Sequence, residues 1–331
     1  MKINYKRRWD QIASNLGDKG AFVASLPGNT RYLGNSESPP GSPPGSTMSF
    51  VVIQKNEEPI AITSSLEEHR CREESSIKDI KCWTIYPDIK SDGNTALDIL
   101  KNTLNENKID DIYSDTKLRL GRSIKSTLSN YVTEMRGVKT EDELERIKKA
   151  VEQSDAGQQF AKNLVECGEK LTEKEVRAEI DYFMARKGIQ ENSFSTIIAS
   201  GPNSAHSHHS NTDRKLKKGD SVICDFGVFW DGYCSDITRT YFVGGETSEK
   251  MKEIYNIVLD ANKRSISALT EGKSGHLVDK AGRDYIRKKG YGKNFVHGTG
   301  HGFGLEIHEF PSITYRSKVI AKDSMAVTIE P

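Results

Sequence analysis

The chain has 331 residues, 35% of them apolar, enough for a substantial core but past the size at which one core usually keeps growing, so two domains are expected. Forty-eight basic residues against 47 acidic ones leave a formal charge of +1, and no whole-protein field draws the chain to nucleic acid or an anionic membrane. Five scattered cysteines (Cys71, Cys82, Cys167, Cys224, Cys234) with no Cys-x-x-Cys pair exclude a disulfide framework or a zinc knuckle and point to reduced thiols in the cytoplasm.

The longest apolar runs, Ala21–Ala24 and Phe50–Ile53, fall far short of the roughly 20 residues that cross a bilayer. Lys6, Arg7 and Arg8 are followed by Trp9-Asp10-Gln11 instead of an apolar stretch, so no secretory signal is expected. Residues 1–135 alternate helical and strand-like segments. A helix near Lys6–Leu16 leads to a strand at Gly20–Leu26. The Pro/Gly/Ser segment Ser38–Ser46 reads as an exposed loop, and strands at Phe50–Gln54 and Pro59–Thr63 flank the turn Lys55–Glu58. A helix near Leu66–Glu74, a strand near Cys82–Tyr86, a helix over Thr95–Leu104, a strand at Asp111–Ser114 and a helix near Ser123–Val132 complete an α/β layer domain.

Residues 136–331 read as a second domain of the α+β class with a large antiparallel component. Thr140 with Glu143, and Thr172 with Glu175, form capping boxes that open two helices, the first striped by Leu144, Ile147 and Val151 and the second by Val176, Ile180 and Phe183. Further helices are expected near Glu249–Leu269 and His276–Lys289. Ser221–Trp230 and Tyr233–Val243 are β-rich runs separated only by Asp231-Gly232, a strong hairpin signal. With that turn, Trp230 faces Tyr233, Gly227 faces Asp236 and Asp225 faces Thr238. Asp225 and Asp236 then become diagonal neighbours on one face, about 7–8 Å apart at the backbone and able to reach a common ligand. Cys224, one residue along, points to the other face and into the core.

Two carboxylates set among Val222, Ile223, Phe226 and Ile237 repel one another unless a cation sits between them. The alternative is that both lie on the solvent face of an ordinary hairpin. Histidine supplies the second signal: of eight, six fall in two clusters, at 206, 208 and 209 and at 297, 301 and 308. The second cluster is interleaved with Gly298, Gly300, Gly302 and Gly304, which allow close approach to the backbone, and imidazole is the commonest nitrogen donor to metals. Other features read blandly. Arg214, Lys215, Lys217 and Lys218 form a solvated turn, Arg287–Lys289 complement a helix C-terminus, and the glycines before Gly304 lack the Lys-Ser/Thr of a phosphate loop.

Five stretches in order carry a resemblance: Ser200-Gly201-Pro202-Asn203-Ser204; Lys218-Gly219-Asp220 leading into Asp225-Phe226-Gly227; Ser235-Asp236-Ile237-Thr238-Arg239-Thr240; His297-Gly298-Thr299-Gly300-His301-Gly302-Phe303-Gly304 with His308-Glu309; and Thr328-Ile329-Glu330-Pro331. Together they resemble the pita-bread metallopeptidases, in particular the Xaa-Pro branch of aminopeptidases and dipeptidases (prolidases). The resemblance implies a creatinase-type N-terminal α/β domain over 1–135 and a pita-bread catalytic domain over 136–331. It implies two divalent metal ions held by Asp225, Asp236, His301 and Glu330, with Asp236 bridging. His208, His297 and His308 would contact substrate or stabilise the tetrahedral intermediate, and Glu330 would also accept a proton.

Two metal ions of this kind bind a hydroxide between them and polarise the scissile carbonyl. The mostly carboxylate donor set suits Mn2+ or Co2+, with Zn2+ as the alternative. A peptide with proline in second position is the implied substrate and a homodimer the implied assembly. The family pattern departs at His206-Ser207, where Leu-Pro is usual; this leaves His206 as a competitor for metal and His209 at the rim. The family also has a further glutamate ligand, in an Arg-Ile-Glu-Asp motif beyond the position of Glu330, so the sequence as given is expected to lack its last strands. The competing readings are a methionine aminopeptidase with the same ligands and a non-catalytic pita-bread binding module.

Overall fold

The computed structural model describes residues 3–35, 48–121, 124–189 and 191–331; the expected loop Ser38–Ser46 lies outside them. The chain divides into two compact units, one up to Arg136 and one from Gly137 to Pro331.

The first unit contains α1 (Tyr5–Ala13), β1 (Gly20–Ala24), α2 (Pro27–Gly34), β2 (Phe50–Gln54), β3 (Ile60–Ser64), α3 (Glu68–Glu74), β4 (Asp79–Trp83), α4 (Ala96–Glu106), β5 (Asp111–Ser114) and β6 (Lys125–Leu128), and α5 (Tyr131–Gly137) leads out of it. Its strands form one sheet in the order β4-β3-β2-β1-β5-β6, antiparallel on both sides of β2 and parallel elsewhere. β1 is buried along its whole length, which is why it reads as an unbroken apolar run. Thr95 caps α4, whose Ile99, Leu100 and Leu104 pack on the sheet.

Two expectations fail here. The helix near Ser123–Val132 is replaced by strand β6 over Lys125–Leu128, and helix begins only at Tyr131. The edge of β5 offers Lys125–Leu128 a row of backbone partners, and that pairing outweighs a weak helical pattern containing Ser126 and Thr127. The strand near Cys82–Tyr86 starts instead at Asp79 and stops at Trp83, in register with Ile60–Ser64; Ile85 and Tyr86 are exposed. Sequence reading also passes over α2, which opens on Pro27 in its first turn.

The second unit contains α6 (Glu141–Cys167), α7 (Glu173–Arg186), β7 (Ile197–Ser200), β8 (Ser221–Phe226), β9 (Phe229–Trp230), β10 (Tyr233–Cys234), β11 (Ile237–Phe242), α8 (Glu249–Ala268), α9 (Gly275–Lys288), β12 (Gly300–Gly302) and β13 (Glu309–Ile313). Both capping boxes form: Glu143 accepts from the Thr140 amide at 2.9 Å and Glu175 from the Thr172 amide at 2.7 Å. β8 is the centre of an antiparallel sheet, β11-β8-β7, and α6 and α7 cover one face of it, burying Val176, Ile180 and Met184 against Ile198, Val222 and Phe226. Cys224 is fully buried on that face, as expected.

A polar bridge fixes α6 to this sheet. Buried Gln158 donates to the carbonyls of Cys224 at 3.1 Å and Ile237 at 2.7 Å, spanning β8 and β11, and the Tyr241 hydroxyl donates back to the Gln158 carbonyl at 3.0 Å. Gln158→Leu keeps the shape and removes the donor, so about 1–3 kcal/mol of stability should be lost. The loss is read as a lower urea midpoint at unchanged slope. An unchanged midpoint would show that the bridge contributes nothing.

Candidate metal centre

The site begins with the β8–β11 arm pair. Asp231 and Gly232 take left-handed φ of 46° and 83°, the demand of a two-residue hairpin turn. The register that follows is the expected one: Trp230 faces Tyr233, and Thr238 faces Asp225. Between the two ladders the chains stay in step, with the Ser235 amide bonded to the Val228 carbonyl at 2.9 Å and the Val228 amide to Ser235 Oγ at 3.0 Å. Asp225 and Asp236 therefore project from one face. Thr238 donates to Asp225 Oδ1 at 2.7 Å.

The third and fourth donors arrive on β12 and the terminal segment, which run antiparallel. The Thr328 amide bonds to the His301 carbonyl at 2.8 Å, and the Glu330 amide to the Thr299 carbonyl at 2.7 Å. Glycine makes this approach feasible: a Cβ on Gly300 would stand 2.0 Å from the Thr328 carbonyl oxygen. One ligand atom from each of Asp236, His301 and Glu330 then lies within 4.8 Å of the others. His301 Nε2 is 3.5 Å from Asp236 Oδ2 and 3.2 Å from Glu330 Oε1, while Thr328 donates to Glu330 Oε1 at 3.0 Å. Asp225 stands outside the trio, near enough for its charge to act on Asp236.

The electrostatics are those of a site built for a cation. Burial, then the charges of Glu330 and Asp225, push the Asp236 carboxyl up to about 7. Burial and the Glu330 charge also raise Asp225, against the Thr238 hydrogen bond. Glu330 moves the other way: burial would raise it, but the His301 hydrogen bond and charge pull it down. His301 is raised, its burial outweighed by Glu330. His301 Nδ1 contacts the Gly302 carbonyl at 3.1 Å, and a carbonyl only accepts, so Nδ1 carries a proton. A divalent ion bound at Nε2 would replace the proton there and leave a neutral ring whose lone pair faces two carboxylates.

The remaining predicted residues surround this centre. The His308 ring lies 4.3 Å from that of His301, and burial followed by the His301 charge lowers its pKa. His297 is exposed and its charge reaches Glu330; His208 is exposed and its charge reaches Asp225 and His308. Beneath His297 lies a pair that sequence reasoning missed. Asp279, fully buried on α9, is gripped by Arg283 at 2.7 and 2.9 Å and accepts from Thr299 Oγ1 at 2.9 Å, while Arg283 also donates to the carbonyl of Phe295 at 2.8 Å.

Three smaller readings are corrected. His209 is not at the rim: its side chain is only 8% exposed and bonded to Glu173 at 2.8 Å. His206 is exposed and outside the ligand trio. Arg214 is not a solvated turn residue, because a bidentate pair with Asp220, at 2.7 and 3.0 Å, draws it inward.

The model of metallopeptidase family M24 matches residues 145–331. The chain belongs to metallopeptidase family M24. It is 34% identical over 332 residues to the Xaa-Pro dipeptidase of Pyrococcus furiosus, covering 98% of this chain and 90% of that protein. Among solved structures it is similar to the Xaa-Pro dipeptidase of Bacillus anthracis (TM-score 0.84, 30% identity, 99% of this chain and 90% of that one). It is also similar to the X-Pro aminopeptidase of Thermotoga maritima (TM-score 0.77, 30% identity, 98% and 90%). The family fold is the pita-bread α+β fold, and membership of a metallopeptidase family implies divalent metal ions. The donor chemistry of Asp236, His301 and Glu330 fits such ions.

A divalent ion must displace the proton that Asp236 holds below about 7. Its carboxyl is raised, so the protonated form dominates at lower pH and competes with metal, whereas above 7 it does not. Affinity for Mn2+ measured by calorimetry should therefore weaken by about tenfold per pH unit below 7 and level off above it. A flat profile from pH 5.5 to 8 would contradict this ligand set. Gly300→Ala should cost about 3 kcal/mol and weaken metal binding together, since the backbone of the Glu330 segment must move away. Undiminished Mn2+ affinity in that variant would show that the close approach is not needed.

Proposed function

We propose that the chain is a metal-dependent exopeptidase that hydrolyses the bond between an N-terminal residue and proline in Xaa-Pro dipeptides or short peptides. The observation that carries this is the convergence of Asp236, His301 and Glu330 in a chain similar over both units to Xaa-Pro dipeptidases. On this reading Asp225, Asp236, His301 and Glu330 would hold two ions, Mn2+ or Co2+ with Zn2+ as the alternative. Such ions, when bound, polarise the scissile carbonyl and make water a nucleophile at neutral pH.

The chain's own groups do the rest. Glu330, with its carboxyl held down by His301, is ionised and takes up a proton at its carboxylate. His308, lowered by burial and by His301, is neutral and presents an uncharged ring to the peptide, where it orients the substrate carbonyl. His208 and His297, both exposed and near enough for their charges to act on Asp225 and Glu330, contact the substrate on this reading. The first unit takes the part of the creatinase-type N-terminal domain, and the same reading extends to a cytoplasmic homodimer, a state that light scattering checks.

Loaded with Mn2+ or Co2+, the protein should cleave Ala-Pro, Met-Pro or Ala-Pro-Ala, lose that activity to chelator, and ignore Met-Ala-Ser. A preference for Met-Ala-Ser would move the reading to a methionine aminopeptidase, and no metal-dependent cleavage of any Xaa-Pro bond would overturn it. His308→Ala should lower kcat by about a hundredfold with metal stoichiometry unchanged.

A further inference from the structure

We propose that Glu173 is a positioning residue, its carboxylate fastening both ends of the loop 200–212 so that His208 is held against the metal centre. The inference rests on the function proposed above for its catalytic consequence, though not for the loop geometry. Glu173 is the first residue of α7, and its side chain is fully excluded from solvent. One oxygen, Oε1, accepts from the Ser200 amide at 2.9 Å, Ser200 Oγ at 2.7 Å and Asn203 Nδ2 at 2.9 Å. The other, Oε2, accepts from the Thr212 amide at 2.9 Å and Thr212 Oγ1 at 2.7 Å, and bonds to His209 Nε2 at 2.8 Å.

The two oxygens thus bind opposite ends of one loop. Ser200 and Asn203 lie on its way out of β7, and His209 and Thr212 on its way back. Arg214 adds a second tie on the same side, donating to Ser200 Oγ at 2.7 Å while gripping Asp220. Between the fastened ends stands His208, whose charge reaches Asp225 and His308. Burial alone would raise the Glu173 carboxyl, but the hydrogen bonds from His209, Ser200, Asn203 and Thr212 outweigh it and hold it at about 2. Its position at a helix N-terminus favours the same ionised form.

A buried charge is a poor source of stability, since a well-packed apolar group often serves as well. What this carboxylate supplies is geometry: six contacts that specify where a loop of exposed residues must lie. A displacement of His208 by an ångström is enough to cost a large factor in rate.

The test compares Glu173→Gln, His208→Ala and the double variant. Glu173→Gln should lower kcat on Ala-Pro by about tenfold or more with KM within about twofold, Mn2+ stoichiometry being unchanged. If Glu173 acts through His208, the double variant should match His208→Ala within about twofold, whereas losses that multiply would overturn the proposal. Trypsin supplies a readout free of activity. Cutting after Arg214, Lys215, Lys217 and Lys218 should accelerate by about tenfold in Glu173→Gln relative to cutting within α8. An unchanged pattern overturns the proposal even if the wild-type chain cleaves no Xaa-Pro bond, a result that by itself overturns only the proposed function. Should Glu173→Gln not fold, His209→Gln, which leaves the other five contacts in place, carries the same readouts at about threefold.

Discussion

Asp236 and Glu330 crowd one imidazole, with the charge of Asp225 close by, in a recess that is largely shielded from water, and like charges in such a place drive each other apart. Two unit charges 4 Å apart at an effective dielectric of 20 interact by about 4 kcal/mol. The cost is visible in Asp236, whose carboxyl rises to about 7 under burial and the fields of its two neighbours. A divalent cation leaves that repulsion in place but adds an attraction to each carboxylate that outweighs it. The site is therefore unfavourable as a piece of protein and favourable as a metal host, and the fold around it has to supply the stiffness that keeps its donors together.

That stiffness comes from joining four separate segments. Asp225 and Asp236 belong to the two arms of one hairpin, tied at the far end by the Asp231-Gly232 turn and from behind by Gln158 on α6. His301 and Glu330 belong to two antiparallel segments pressed together at Gly300, where no side chain could be fitted. Thr238 and Thr328 each donate to one carboxylate and fix which oxygen is left free. His301 is oriented from the other side by the Gly302 carbonyl. Asp225, Glu330 and His301 thus each have a partner behind them, the arrangement by which metal sites set ligand direction.

What could be read in advance follows from the range of the forces involved. A two-residue turn and a side-chain period of two determine the hairpin register locally, so the facing of Asp225 and Thr238 was readable from sequence alone. Capping boxes are equally local, and both formed. The strand at Lys125–Leu128 was not readable, because its exposed side chains carry little pattern and its stability comes from the neighbouring edge of β5. Glu330 on its own was an unremarkable carboxylate, and only the likeness to a family of metallopeptidases singled it out. Glu173 looked like any acidic residue in a first helical turn. Its partners lie up to 39 positions away, at Thr212, so no local rule could have found them.

The histidines show where the two kinds of order meet. His208 and His297 are exposed, on loops, and so have no core of their own to hold them. Each loop is instead anchored from below by a buried acidic side chain on a helix. Glu173 takes the ends of loop 200–212, and Asp279 with Arg283 takes the carbonyls and hydroxyl of residues 295–299. Hydrogen bonds to a charged group are about twice as strong as neutral ones and sharply directional, so a single buried carboxylate can specify a loop that hydrophobic packing cannot reach. The candidate metal donors are placed by strands and the segments beside them, and the histidines proposed to meet substrate sit on loops placed by charge. Since Thr299 gives its hydroxyl to Asp279 and its carbonyl accepts from the Glu330 amide, the two systems share one residue, and a shift in the α9 anchor is passed directly to a candidate metal donor.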